Sequence, residues 1–191
     1  MNRLKCLARL LKWRNQVDHA IAALIGRPAE RGHIGEYIAS RIFNITLIAS
    51  ASQKSYDGRF GDGPLAGHTV NIKWYGKMEG LLDINSSAPP DYYLVMTGPE
   101  SPPAASRGQV RPLVIDHVFL FESRSLLSEL KSRGVKIGDE TSIPKALWEQ
   151  AEIYPNQQNT LLFLSQKQRE ALRLFGSHTC KSGKDRCSSA S

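Results

Sequence analysis

Ser55-Tyr56-Asp57-Gly58-Arg59-Phe60, followed after a turn by Thr69-Val70-Asn71-Ile72-Lys73-Trp74-Tyr75, is the stretch on which the reading of the fold depends. In an alternating strand Asn71 and Lys73 share one face while Val70, Ile72 and Trp74 share the other. An amide and an ammonium therefore project from a strand whose opposite side is apolar. Asp57 stands on the extended segment just before it, and Gly61-Asp62-Gly63-Pro64 supplies the turn between the two.

Working outward, residues 4–25 read as a helix, with Leu4, Leu7, Leu11, Val17, Ile21, Leu24 and Ile25 at helical spacing, until Gly26, Arg27 and Pro28 interrupt it. A second helix from about Ile34 to Phe43 carries Ile34, Ile38 and Ile42 four apart, with Glu36 off that stripe. Ile45 to Ala49 begins the extended region, so a helix is followed by three strands. Asp91 to Thr97 reads as a short strand, Ser101 to Gly108 as an exposed loop, and Leu113 to Phe121 as a long central strand with Asp116 and His117 on its opposite faces. A helix with Leu126, Leu127 and Leu130 stops at Gly134. Ser142 is expected to cap a short helix through Trp148, Thr160 to Leu164 to form a last strand, and Ser165 with Gln168 to open a final helix by a capping box. This order predicts an α/β fold with a mixed central sheet flanked by helices.

The chain has 191 residues, 41% hydrophobic and 23% charged. That suits one domain, expected over 17–175, with a basic helical extension over 1–16 and a disordered Ser/Lys-rich tail over 176–191. The formal net charge of +7 comes from the ends. Residues 1–14 hold five basic side chains and no acid, whereas 15–175 is balanced, so the isoelectric point says little about the body. No run is long enough for a membrane span, and nothing resembles a secretory core, so the expectation is a cytoplasmic protein without a membrane partner. Cys6, Cys180 and Cys187 lie near the termini and give no disulfide framework for the body. His178, Cys180 and Cys187 lack a fourth partner for zinc. Walker, dinucleotide and Gly-x-Ser-x-Gly fingerprints are absent, so nucleotide-driven and serine-hydrolase chemistry have no support.

Glu36 on an early helix, Asp57-Gly58 at a strand and Asn71-x-Lys73 on the next resemble the PD-(D/E)xK restriction-endonuclease-like superfamily. The pattern is most similar to its Mrr-like branch, in which a Gln often replaces the second acid before x-Lys. The resemblance covers roughly residues 17–121. It implies a restriction-endonuclease-like sheet and a metal-dependent endonuclease that hydrolyses phosphodiester bonds in DNA, of restriction or defence type. Mg²⁺ or Mn²⁺ would be held by Asp57, by Glu36 directly or through water, and by the Ile72 carbonyl. Asn71 stands where the family has an acid or Gln, and adds no negative charge to a metal site. Lys73 would orient the nucleophile or stabilise charge at phosphorus. Lys54, Arg59, Lys77 and His68 are candidates to grip the nucleic acid, and double-strand cutting suggests a homodimer. The alternative is a catalytically inactive module of the same fold that binds nucleic acid. Singly, each residue has a structural reading as well: Asp-Gly suits a tight turn, Glu36 a solvated helix face, and Lys73 an edge-strand charge.

Overall fold

The computed structural model describes residues 3–48, 55–100 and 112–177. Lys54, the expected 101–108 loop and the tail beyond residue 177 lie outside the described residues. The chain opens with two helices, α1 (Arg3–Ile25) and α2 (Arg31–Ile42), followed by strands β1 (Ile45–Leu47), β2 (Gly58–Phe60) and β3 (Thr69–Tyr75). The short strand β4 (Leu81–Leu82) lies in the crossover to β5 (Tyr92–Thr97). Then come β6 (His117–Glu122), α3 (Ser123–Ser132), β7 (Thr141–Ser142), α4 (Lys145–Ala151), β8 (Glu152–Tyr154) and α5 (Gln166–Arg173). Six strands form one sheet in the order β1-β2-β3-β5-β6-β8, and β4 pairs with β7 in a small second sheet. β3 and β5 are parallel while the other neighbours in the large sheet are antiparallel. The architecture is mixed α/β, as expected.

β3 explains the layering. Its residues alternate between half-buried and buried, with Val70, Ile72 and Trp74 buried. These three join Ile38, Ala39 and Phe43 of the α2 region and Leu172 of α5 in one apolar cluster. α2 comes so close that a Cβ on Gly35 would sit 3.0 Å from Trp74 Cβ. On the other face Tyr93, Val95, Phe119 and Phe121 pack with α3 and α4 around Trp148. Asn71 and Lys73 belong to this second face, on the side of β3 away from α2. α5 opens with the expected capping box, in which Ser165 accepts from the Gln168 main-chain N–H and the Gln168 side chain accepts from the Ser165 N–H.

Four expectations are corrected. The strand at 113–121 begins only at His117, because Ile115 N–H donates to Phe175 O and Asp116 N–H to Thr97 O, which holds the preceding residues outside the ladder. Asp116 therefore precedes the strand instead of sharing it with His117. Ser142 does not cap α4; it lies in β7, opposite Leu81, and Pro144 is the N-cap. Thr160–Leu164 is not a strand: Gln157 Nε2 donates to the carbonyls of Asn159 and Leu162, so a side chain satisfies main-chain groups there. The outer place in the sheet goes to β8, paired with β6. No helix among the described residues is long and apolar enough to cross a membrane.

Candidate functional site

β2 peels away from β3 at Asp57, and that irregularity builds the site. Its N–H donates to Val70 O (2.9 Å), on the β3 side, while its C=O accepts from Ile48 N–H (3.0 Å), on the β1 side. A regular strand residue sends both main-chain groups toward one neighbour, so the chain bends here as it does at a bulge. The bend turns the Asp57 side chain into the plane of the sheet, where Oδ2 accepts from Ile72 N–H at 2.6 Å. The carboxylate fills the place in the ladder that the next main-chain carbonyl would have taken. Val70 O and Ile72 N–H both face Asp57, so by the alternation of strand groups the Ile72 carbonyl is directed to the same edge.

Gly58 has a packing role. A Cβ on it would lie 2.6 Å from Ile45 Cγ2 and 2.7 Å from Thr46 O. Only glycine lets β1 approach this closely, and Asp57-Gly58 is a strand entry, not a tight turn.

Three charged side chains influence the Asp57 carboxylate electrostatically. Glu36 reaches it electrostatically from α2, Lys73 from β3, and Arg27 from the link between the two N-terminal helices. Burial pushes the Asp57 carboxyl above the usual aspartate range, and the negative charge of Glu36 adds to that push. The Ile72 N–H, Lys73 and Arg27 act in the opposite direction without reversing it. Arg27 Nη1 is also paired directly with Glu36 Oε2. Gly26, at φ +72°, makes the left-handed turn that ends α1 and brings Arg27 round to α2.

Asn71 Oδ1 is buried and has no hydrogen-bond partner among the described residues. A stranded amide oxygen costs free energy, on the order of 1–3 kcal/mol. The oxygen donors offered near β3 are therefore the Asp57 and Glu36 carboxylates, the Asn71 amide and the Ile72 carbonyl, the type of ligand that hard divalent cations take. No group of three or more His, Cys, Asp or Glu side chains gathers as a metal site among the described residues. The acidic contribution here is two carboxylates.

The expected nucleic-acid contacts are placed less uniformly. Arg59 is exposed on β2, its guanidinium over the Tyr56 ring and donating to Gly67 O at 2.8 Å. Lys77 is half-buried just beyond the end of β3. His68 sits at the far end of β3, with Nδ1 3.5 Å from Asp91 Oδ2 and its ring edge-on to Tyr92. Five residues of strand, about 17 Å, separate it from Lys73. Glu36 and Lys73 thus act on Asp57 through their charge alone, Asn71 and Ile72 stand on the adjoining strand, and His68 lies apart. Arg27 was not among the sequence candidates. Its sequence neighbourhood signals only the end of a helix, and nothing in that spacing announces the pairing with Glu36. No protein-family model and no curated protein matches the chain.

Proposed function

We propose that the chain is a divalent-metal-dependent phosphodiesterase acting on DNA, with Asp57 as its central carboxylate. The observation that carries this reading is the position of Asp57 at the split between β2 and β3, held by Ile72 N–H and under the joint influence of Glu36 and Lys73. The resemblance of Glu36, Asp57-Gly58 and Asn71-x-Lys73 to the PD-(D/E)xK superfamily supports the same reading. The stranded Asn71 oxygen supports it further, since it is a buried acceptor that a cation or a bound water could satisfy.

In this proposal Asp57, Asn71 and the Ile72 carbonyl hold Mg²⁺ or Mn²⁺, with Glu36 reaching it directly or through water. The cation supplies charge neutralisation at the phosphate and a more acidic water. Lys73 brings positive charge to the phosphate oxygen on which charge develops during attack. Burial by itself raises the proton affinity of the Asp57 carboxyl, and a bound cation would favour its ionised form, as a ligand requires. Arg27 draws Glu36 toward itself and thereby limits how freely that carboxylate turns to a cation.

The test is incubation of the purified chain with circular and linear DNA, and separately RNA, in Mg²⁺ or Mn²⁺ and in EDTA. The proposal expects DNA strand scission that requires the divalent ion and disappears in EDTA. DNA binding without scission under all these conditions would leave the inactive-module alternative in its place.

A further inference from the structure

α1 is the one long element of the described structure without a buried residue. Its residues Leu4, Leu7, Leu11, Arg14, Asp18, Ile21 and Ile25 follow one another at intervals of 3, 4, 3, 4, 3 and 4. That is an a/d seam sustained over three heptads. Leu4, Leu7 and Leu11 are 73%, 52% and 49% exposed, whereas Ile21 and Ile25 are half-buried where α1 joins the body. Leu10, Val17 and Leu24, each at least half exposed, flank the seam on one side, while Lys5, Arg9 and Lys12 lie on the opposite face. Trp13, under the Arg9 guanidinium, lies on that opposite face, so the leucines with Val17, Ile21 and Ile25 make up the apolar stripe.

The two charged seam residues determine what can cover this face. Arg14 and Asp18 form an exposed i,i+4 pair at 3.5 Å, and such a pair contributes little on a solvated helix. In a parallel pairing of two copies Arg14 would meet Arg14 and Asp18 would meet Asp18, which is repulsive. In an antiparallel pairing centred on residue 16, a positions meet d positions throughout. Leu7 meets the side of Ile25 of the second copy that its own body leaves uncovered, Leu11 the corresponding side of its Ile21, and Arg14 its Asp18. A bilayer surface would have to receive the charged pair within the apolar stripe, and nucleic acid would leave the leucines uncovered.

We infer that α1 is a homodimerisation helix, which pairs with α1 of a second copy in antiparallel fashion about a two-fold axis near residue 16, with reciprocal Arg14–Asp18 pairs fixing the register. The C-terminal ends of the two α1 helices stand about 27 Å apart along the common axis. Each candidate site remains complete within its own chain, so the pairing stands or falls independently of the hydrolytic proposal.

Sedimentation velocity of the full chain through the micromolar range tests it. The wild type is expected to be a dimer, and Leu7→Glu with Leu11→Glu a monomer with unchanged thermal stability of the body. Arg14→Asp places two acids in the seam and Asp18→Arg two bases, so each alone should weaken self-association at least tenfold. An equimolar mixture of these two variants should form a heterodimer. That recovery distinguishes pairing between copies from the pair within one helix, because neither variant retains an internal Arg–Asp pair. A monomeric wild type, a monomer that sediments with anionic vesicles, or a mixture no more associated than the separate variants would overturn the inference.

Discussion

Asp57, the central carboxylate of the proposed site, is placed at a cost to stability. Its carboxyl is pushed above the ordinary value of 3.8 chiefly by burial. A group with a raised folded-state pKa gives its full stabilising contribution below the unfolded value, and that contribution is lost as pH rises through the folded value. Ionised Asp57 therefore opposes folding at neutral pH. Asp57→Asn, which keeps an acceptor for Ile72 N–H, is expected to raise the melting temperature at pH 7, with the difference vanishing well below pH 4; thermal denaturation across pH checks this. A divalent cation should raise the melting temperature of the wild type and leave that variant unmoved. Two neighbouring substitutions bear on the same cluster. Asn71→Asp adds a carboxylate where an amide oxygen is stranded, and calorimetry should find Mn²⁺ binding about tenfold tighter, roughly 1.4 kcal/mol. Arg27→Gln frees Glu36 from its partner and should also tighten Mn²⁺ binding, by several-fold, whereas weaker binding would contradict the competition assigned to Arg27.

At the scale of elements, β3 carries both the core and the site because its alternation keeps the two apart. Trp74 is buried against α2, and its indole N–H donates to Val114 O at 3.0 Å. Trp74→Ala should cost about 3–5 kcal/mol. In a chain of this size each kcal/mol lowers the melting temperature by roughly 2–4 °C, which calorimetry reads directly. Gly58→Ala makes a different prediction. The added methyl meets Ile45 and the Thr46 carbonyl, so β1 must move off β2. Ile48 N–H then loses its hold on Asp57 O, and the altered position of Asp57 should reduce divalent-ion affinity together with stability.

For the whole molecule, the elements legible in the sequence are those with local causes. α1, α2 and α3 follow from helical periodicity, β3 from its strict alternation, and α5 from its capping box. The missed elements depend on distant partners. β8 is three residues long and exists because β6 offers it an edge. Thr160–Leu164 has a strand-like composition, but Gln157 takes the Leu162 carbonyl and, just before the segment, that of Asn159. The same division runs through the site. Glu36, Asp57 and Lys73 could be proposed from residue type and spacing, with Asn71 as the departure from the pattern they resemble. Arg27 could not, because its place is set by the left-handed turn at Gly26, and the bend that aims Asp57 along the sheet is a property of three strands together.

Single-turnover cleavage by wild type and Asp57→Ala on the same DNA, at matched binding, separates a hydrolytic Asp57 from an architectural one. Both proteins should bind the DNA alike at low salt, while the variant cuts on the order of 10³-fold more slowly or not at all. Equal cleavage rates for the two proteins, or no divalent-dependent cleavage by the wild type, would contradict a hydrolytic Asp57.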